Sequence, residues 1–504
     1  MKRQPLLTLI LCLLASAQSF AEKHRLIILA DMGNEPDEVQ QMIHMITCAN
    51  EFDIEGLIAV TGKYLRPESK REYRRHLHPE LFLEIIDAYE KVLPNLRLHA
   101  NGWPSAEFLR TKVVSGQRGY GLGDIGEGKS SEGSKLIESV AGNDDPRPLW
   151  IVVNAGSNTL AQALADYERN HTPKQLEQFV NKLRVFENGA QDNAGAWICS
   201  RYPQIHWIRS NYQTYAYGGP GGKDGNVAVN LGPRFWGDHE YSVDGQLAWQ
   251  KEHIMNNHGP LGDLYPERRF HNGKLGFIEG GGTIPWLGLV NKGLFDINQP
   301  SWGGWSGRFS KKKVPDFWSR HRDIQVDEKE NTPFHVYREV SDHWIDARDG
   351  KVYANDYTPV WRWREATYNN QICRMDWCVQ PFGKANHHPV AAIDGDLSNA
   401  IIHVNASAGE TLSFDASASK DPDGDALVCR WWIYPEAGTY PGIVHLGSSD
   451  QSKIALNVPT GACETQIHLI LEVRDTSEIA SLFDYRRIVI DVDDRIVGHK
   501  AVQK

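Results

Sequence analysis

The chain has 504 residues, with 64 acidic against 54 basic side chains and a formal net charge of −10. That length exceeds one ordinary core, so two domains are expected. An acidic chain without a basic cluster is a poor nucleic-acid binder, and "KKK" at 311–313 reads as a solvated turn.

The opening "MKRQPLLTLILCLLASAQSFAEKH" carries Lys2 and Arg3, an apolar run and a small-residue end. It predicts a signal peptide over 1–21, cut after Ala21, and a periplasmic or secreted protein. The run is short for a membrane span and no later segment is apolar enough, so no membrane partner is expected. Export permits disulfides, and Cys373 with Cys378 and Cys429 with Cys463 are the expected pairs. The cysteine spacing does not suggest zinc. The sequence sets no oligomeric state.

A first domain is expected over 22–385. "HRLIILAD" is a compact apolar run, and "EVQQMIHMITCANEF" follows with Val39, Met42, Ile43 and Ile46 at helical spacing. "DIEGLIAVTG" predicts a strand and "PELFLEIIDAYEKVL" a helix. "PLWIVVNAGS", "NTLAQALADYE", "LRVFENG" and "IHWIRSN" continue as strand, helix, strand, strand. This alternation predicts an α/β fold, a mainly parallel sheet with flanking helices, whose ligands sit at the carboxyl ends of the strands.

Residues 286–377 hold eight of the sixteen tryptophans. Most are expected in the core, but the glycines of "PSWGGWSGRF" leave little to bury Trp302 and Trp305, so these two are expected exposed and able to stack on sugar rings. "NHHPVAAIDGD" reads as a linker. Short alternating strands between Asp, Gly and Pro turns then predict a β-sandwich over 386–497, with a tail at 498–504. Of its adjacent Trp431 and Trp432, one is expected in the core, because neighbours on a strand face opposite ways. "DPDGD" at 421–425 fits a cation loop and a plain turn equally well.

The predicted strand ends collect the polar residues. Asp31, Glu35, Asp37 and Glu38 crowd the first loop with Asn34, and four carboxylates so close repel unless a cation, a proton or a polar ligand relieves them. Asn154 and Asn158 follow a later strand, and Glu187, Asp192 and Asn193 the next. Acids and amides without a phosphate loop suit a hard cation and a polyhydroxy ligand. No GxSxG elbow and no GxxxxGK[ST] loop is present.

"DMGNEPDE" is similar to the Asp-Ile-x-Asn-Glu-Pro-Asp-Asp signature of bacterial cellulose-binding proteins with an N-terminal nucleoside-hydrolase-like domain and a C-terminal immunoglobulin-like domain. The likeness continues through "NAGSNTLAQAL", "NHGPLGDLYP", "PSWGGWSGRF" and "ANHHPV". The resemblance implies calcium held by Asp31, Asp37, Glu38 and a backbone carbonyl at Asn154. It also places Asp192, Asn193 and Glu279 near sugar hydroxyls. The chain departs from the pattern in three places. Gly33 stands where nucleoside hydrolases carry the water-activating aspartate, Glu38 replaces an aspartate, and Gly281 replaces the last residue of an "EGD" run. Glu35, Asp37 or Asp31 would then act as base.

The expected function is an exported hydrolase of a glycosidic, furanosyl bond in plant or cell-wall saccharides, by calcium-assisted water attack. Glu187 and Glu279 are the candidate leaving-group acids. The alternatives are a non-catalytic polysaccharide binder using the same cleft and its aromatic platforms, and an exported nucleoside hydrolase.

Overall fold

The run "HRLIILA" forms β1 (His24–Ala30), and everything after its first residue is buried, as expected for a central parallel strand covered on both faces. In the computed structural model the described residues are 23–211, 213–217, 243–269, 276–278, 280–290, 293–313, 324, 335–346 and 350–496. The expected signal peptide, Glu279, Trp318 and the expected tail lie outside them.

Around β1 stand β2 (Phe52–Ala59), β3 (Val113–Ser115), β4 (Leu149–Val153), β5 (Leu183–Asn188) and β6 (His206–Ser210). β7 (Arg268–Arg269) and β8 (Gly276–Phe277) form a small separate pair. β9 (Phe309–Lys313) and β10 (His335–Glu339) complete an eight-stranded sheet of order β3-β2-β1-β4-β5-β6-β10-β9. Of its pairings, only β10 with β9 is antiparallel. The order reverses between β1 and β4, and a crevice opens at the carboxyl ends of such a pair.

Helices α1 (Asp37–Ile46), α2 (Glu80–His99) and α3 (Ala106–Arg110) precede α4 (Glu132–Gly142), α5 (Ser157–Asn170), α6 (Pro173–Lys182) and α7 (Ala194–Arg201). Leu26 and Ile28 join Met42, Ile43 and Ile86 in one core, while Ile27 and Leu29 join Leu160 and Leu164 in another. The sheet is therefore covered on both sides. α2 runs through Pro94 to His99, beyond the expected end at Leu93. Tertiary contacts offset the lost hydrogen bond: Leu96 is fully buried, and Asn95 Nδ2 donates to the carbonyls of Trp377 (2.9 Å) and Gln380 (2.6 Å).

After the hairpin β11 (Asp342–Ile345) and β12 (Val352–Asn355), the C-terminal module contains β13 (Ile402–Ala408), β14 (Thr411–Asp415), β15 (Leu427–Ile433), β16 (Lys453–Asn457), β17 (Gln466–Asp475) and β18 (Phe483–Ile496). A sheet of order β13-β18-β17-β15 faces the β14-β16 pair across a core of Trp431, Leu456, Leu469 and Leu471. Its opposite face packs Ile470, Phe483 and Tyr485 into the first domain's core.

That docking corrects three expectations. Trp302 is only 8 % exposed and Trp305 1 %, because the C-terminal module covers what the local glycines leave open. The Trp302 ring meets His468 edge-on at 5.0 Å. The expected linker is a buried clamp: Asn386 Nδ2 donates to Asp475 (3.0 Å) and Ala480 (2.8 Å), and His387 meets Asp423 at 2.9 Å. Asp421 Oδ1 accepts from the backbone of Asp423 and Asp425, so the "DPDGD" stretch is a turn that presents Asp423 to this clamp. Finally, the six cysteines of the described residues are all free. Cys373 Sγ points to the Ala480 carbonyl and Cys378 Sγ to that of Arg374, so the two thiols are engaged with different partners. Cys429 lies on β15 opposite Val473, and Cys463 precedes β17. Among the described residues no helix is long and apolar enough to cross a membrane.

Candidate functional site

The reversal of strand order places Asp31 directly after β1 and Asn154 directly after β4. Asp31 is fully buried, and among the described residues its carboxylate meets the Glu38 carboxyl in a side-chain hydrogen bond but no amide, hydroxyl or cationic side chain. The same end of the sheet carries other acceptors without a partner among the described residues: Oε2 of Glu38, and the side-chain oxygens of Asn34, Asn154, Asn158 and Asn188. Burial, with the Asp37 charge next, pushes Asp31 up to about 7. Glu38 is raised well above the usual carboxylate range by burial and then by Asp37 and Asp31. A buried carboxylate without a donor costs several kcal/mol unless a ligand compensates.

The surrounding chain packs closely on this site. A side chain at Gly62 would run into the Asp31 carboxylate and the Gln191 amide. Gln191 Oε1 accepts from the Lys63 backbone (3.1 Å), and its Nε2 donates to the Asn154 carbonyl (3.3 Å). The carbonyl that the resemblance gives to calcium thus already has one partner, while the Asn154 side chain has none. On the far side of α1, Gln41 accepts from Trp286 Nε1 at 3.1 Å, which ties the helix to the Gly281–Thr283 turn region.

Other expected residues divide between the crevice and its frame. Asp37 is half-buried at the start of α1. Glu35 is paired with Arg268 Nη2 at 2.7 Å, across 233 residues, a link no local spacing announces. Asp192 accepts from Ser157 Oγ, from the Ala194 backbone (2.9 Å) and from the Asn158 backbone (3.2 Å), so it ties the first turns of α5 and α7 together. Asn193 Oδ1 accepts from the Leu122 backbone at 3.0 Å. Asn158 Nδ2 donates to the Gly119 carbonyl at 2.9 Å, and its oxygen stays unpartnered. Glu187 is buried, with Oε2 accepting from Trp207 Nε1 (3.1 Å) near Arg209 (3.7 Å). Burial pushes it up to about 7 against the pull of Arg209.

Two departures from the resemblance now differ in kind. Gly33 has φ +89°, and a Cβ there would lie 2.7 Å from the His78 ring, which stacks on Tyr73 at 3.9 Å. The fold excludes an aspartate at 33. At Gly281 the nearest atoms to a Cβ are 3.8 Å and 3.9 Å away, on Thr214 and Asn188, and the backbone is not left-handed. A Cβ meets no clash there.

Among the described residues no three His, Cys, Asp or Glu side chains converge as a metal-binding group. A cation at this site would therefore combine Asp31 and Glu38 with amide oxygens such as Asn154 Oδ1, a mixture that hard cations accept.

A mainly parallel sheet with acids and amides at its switch point, joined to a β-rich module, defines a nucleoside-hydrolase-like protein with an appended domain. Residues 25–309 match the family described as cellulose-binding Sde182, nucleoside hydrolase-like domain, and 411–492 match the C-terminal domain of cellulose-binding protein Sde0182. The chain belongs to this family. A solved structure from Saccharophagus degradans, described as a nucleoside hydrolase-related hypothetical protein associated with carbohydrate metabolism, is similar at 34 % identity and TM-score 0.75. The alignment covers 94 % of this chain and 100 % of that one. No curated protein matches.

Proposed function

We propose that the crevice at the β1–β4 switch point binds a saccharide and hydrolyses a glycosidic, furanosyl bond, in a protein exported through its leader. The observation that carries this is the buried Asp31 carboxylate, paired only with the Glu38 carboxyl, at a sheet end where the side-chain oxygens of Asn34, Asn154, Asn158 and Asn188 also lack partners among the described residues. Such a cluster calls for a ligand rich in hydroxyl donors, a cation, or both.

Asp31, Glu38 and Asn154, with Asp37 at the rim, would hold calcium, which when bound acidifies water and orients hydroxyls. Asp37 takes the proton of the attacking water, because position 33 is closed to a carboxylate and Glu35 is engaged by Arg268. Glu187, with a proton affinity near neutrality, is the acid available to the leaving group, though Trp207 and Arg209 hold one of its oxygens.

The test is sugar release by residues 22–504 from nucleosides, aryl furanosides and cell-wall oligosaccharides, with calcium and with chelator. Release that needs calcium and falls by about 10³-fold in Asp37→Asn supports the reading. Release indifferent to both changes refutes it.

Binding without catalysis is the second reading, favoured by the exclusion of a carboxylate from position 33 and by the Glu35–Arg268 pair. It predicts retention on insoluble polysaccharide without release. Gly281→Asp separates the question of the cation from that of catalysis. A carboxylate added at that open position is expected to tighten calcium binding by about ten-fold or more, measured by titration calorimetry. Unchanged binding would mean that the cation does not sit between β1 and the 281 turn.

A further inference from the structure

The face of the C-terminal sheet that docks on the first domain is not closed along its whole length. Toward β15 a cleft of about 370 Å³ remains, within the range of small-molecule sites. Trp344 of β11 and Trp432 of β15 line it, both partly exposed. Trp431, the neighbour of Trp432, points the other way into the sandwich core.

Both lining indoles are held in place by their neighbours. Trp344 stacks on Tyr353 at 5.5 Å, with 22° between the planes. Trp432 leans on Trp363 at 5.6 Å, and the Arg362 guanidinium lies 4.8 Å from its ring centre. Aromatic surfaces fixed before binding lose little freedom when a ligand arrives.

The charged lining is balanced. Arg430 and Glu472 sit opposite each other in register on β15 and β17. Arg474 and Glu365 lie 3.7 Å apart, and Arg362 and Asp346 complete three guanidiniums against three carboxylates. A phosphorylated or cationic ligand would meet no net opposite charge here. A ligand offering donors and acceptors all round, with flat C–H faces for the indoles, satisfies both features.

We propose that this cleft is a second saccharide-binding site, taking a neutral oligosaccharide between Trp344 and Trp432 with its hydroxyls on Arg430 and Glu472. The proposal rests on the reading of the protein as carbohydrate-active, but not on the switch-point acids being catalytic. Residues from both domains build the cleft, so it exists only in the docked chain.

The test is titration calorimetry of residues 22–504 carrying Asp31→Asn, which disables the switch-point crevice, with cellohexaose and with xylohexaose as probes. One site per chain is expected for at least one probe. Adding Trp432→Ala should weaken it by about ten-fold or more, and adding Arg430→Ala, at an exposed position that does not hold the fold, by several-fold. No binding of either probe by the Asp31→Asn parent overturns the proposal. So do added Trp432→Ala and Arg430→Ala changes that both titrate like the parent. Failure of the function proposed above reads differently: no sugar release by the unsubstituted protein, with this titration intact.

Discussion

Replacing Asp31 by asparagine is expected to make the ligand-free protein more stable while abolishing its function. The native carboxylate is fully buried, paired only with another acid, Glu38, and raised above its ordinary value by burial and then by Asp37. A raised acid binds its proton more tightly in the folded chain, so its penalty is absent below about pH 4, grows as pH climbs toward 7 and is constant above. Because the asparagine still buries polar atoms, a net gain of about 2 kcal/mol is the expected size. Thermal unfolding in chelator should show the variant equal to the native protein near pH 4 and several degrees above it at pH 8. If the site holds calcium as proposed, adding the ion should reverse the order at pH 8, because binding to the folded native chain stabilises it. A variant less stable at every pH would mean that Asp31 has a structural partner, and the reading of the crevice would fall with it.

The second large effect belongs to Arg487 on β18. Its guanidinium is buried and donates to the carbonyls of Leu294 (2.9 Å), Trp302 (2.9 Å) and Gly303 (3.0 Å), and to His468 Nδ1 (2.8 Å). One side chain thus joins the C-terminal sheet to the tryptophan-rich segment. Arg487→Ala strips four acceptors of a charged donor and is expected to cost about 4 kcal/mol, read as a lowered unfolding midpoint. His468 accepts from Arg487 only while neutral, and burial, then the Arg487 charge, lowers it from 6.5 to about 2. The unfolded chain therefore takes up a proton below pH 6.5 that the folded chain refuses. Stability is full above that pH and declines by about 1.4 kcal/mol per unit below it. At pH 5 this one histidine accounts for about 2 kcal/mol. His468→Gln keeps an oxygen toward Arg487 without the titration, and should flatten the decline between pH 7 and pH 5 by that amount. An unaltered slope would assign the acid sensitivity to other buried histidines, such as His44 and His206.

The sheet was readable from sequence because its strands are buried on both faces and therefore run as unbroken apolar stretches, from "RLIILA" to "LWIVV". Strand ends then located Asp31 and Asn154, whereas Glu187, expected after its strand, lies inside β5. What escaped depends on contacts distant in sequence. Glycine spacing argued for exposed rings at Trp302 and Trp305, yet a module more than 100 residues later covers them. Arg268 gives no local sign that it will hold Glu35. Gly33 looked like a lost aspartate, and only the position of His78 reveals a residue excluded by packing. Asp192 and Asn193 carry the composition of ligand contacts, but most of their acceptor capacity is spent on backbone at α5, α7 and Leu122.

The clamp at Asn386 and His387 has an evolutionary and practical meaning. Binding modules joined by loose tethers can be cut away, transplanted and reattached to foreign enzymes as interchangeable tags. This one cannot be handled so. Its connection is buried, its sheet lends Ile470, Phe483 and Tyr485 to another core, and its arginine terminates in another domain's carbonyls. Severed, it would present a sticky aromatic face to the solvent and aggregate, whereas its host would lose the wall behind its tryptophans. The two domains share one buried seam, and any tool built from them has to start from the whole chain.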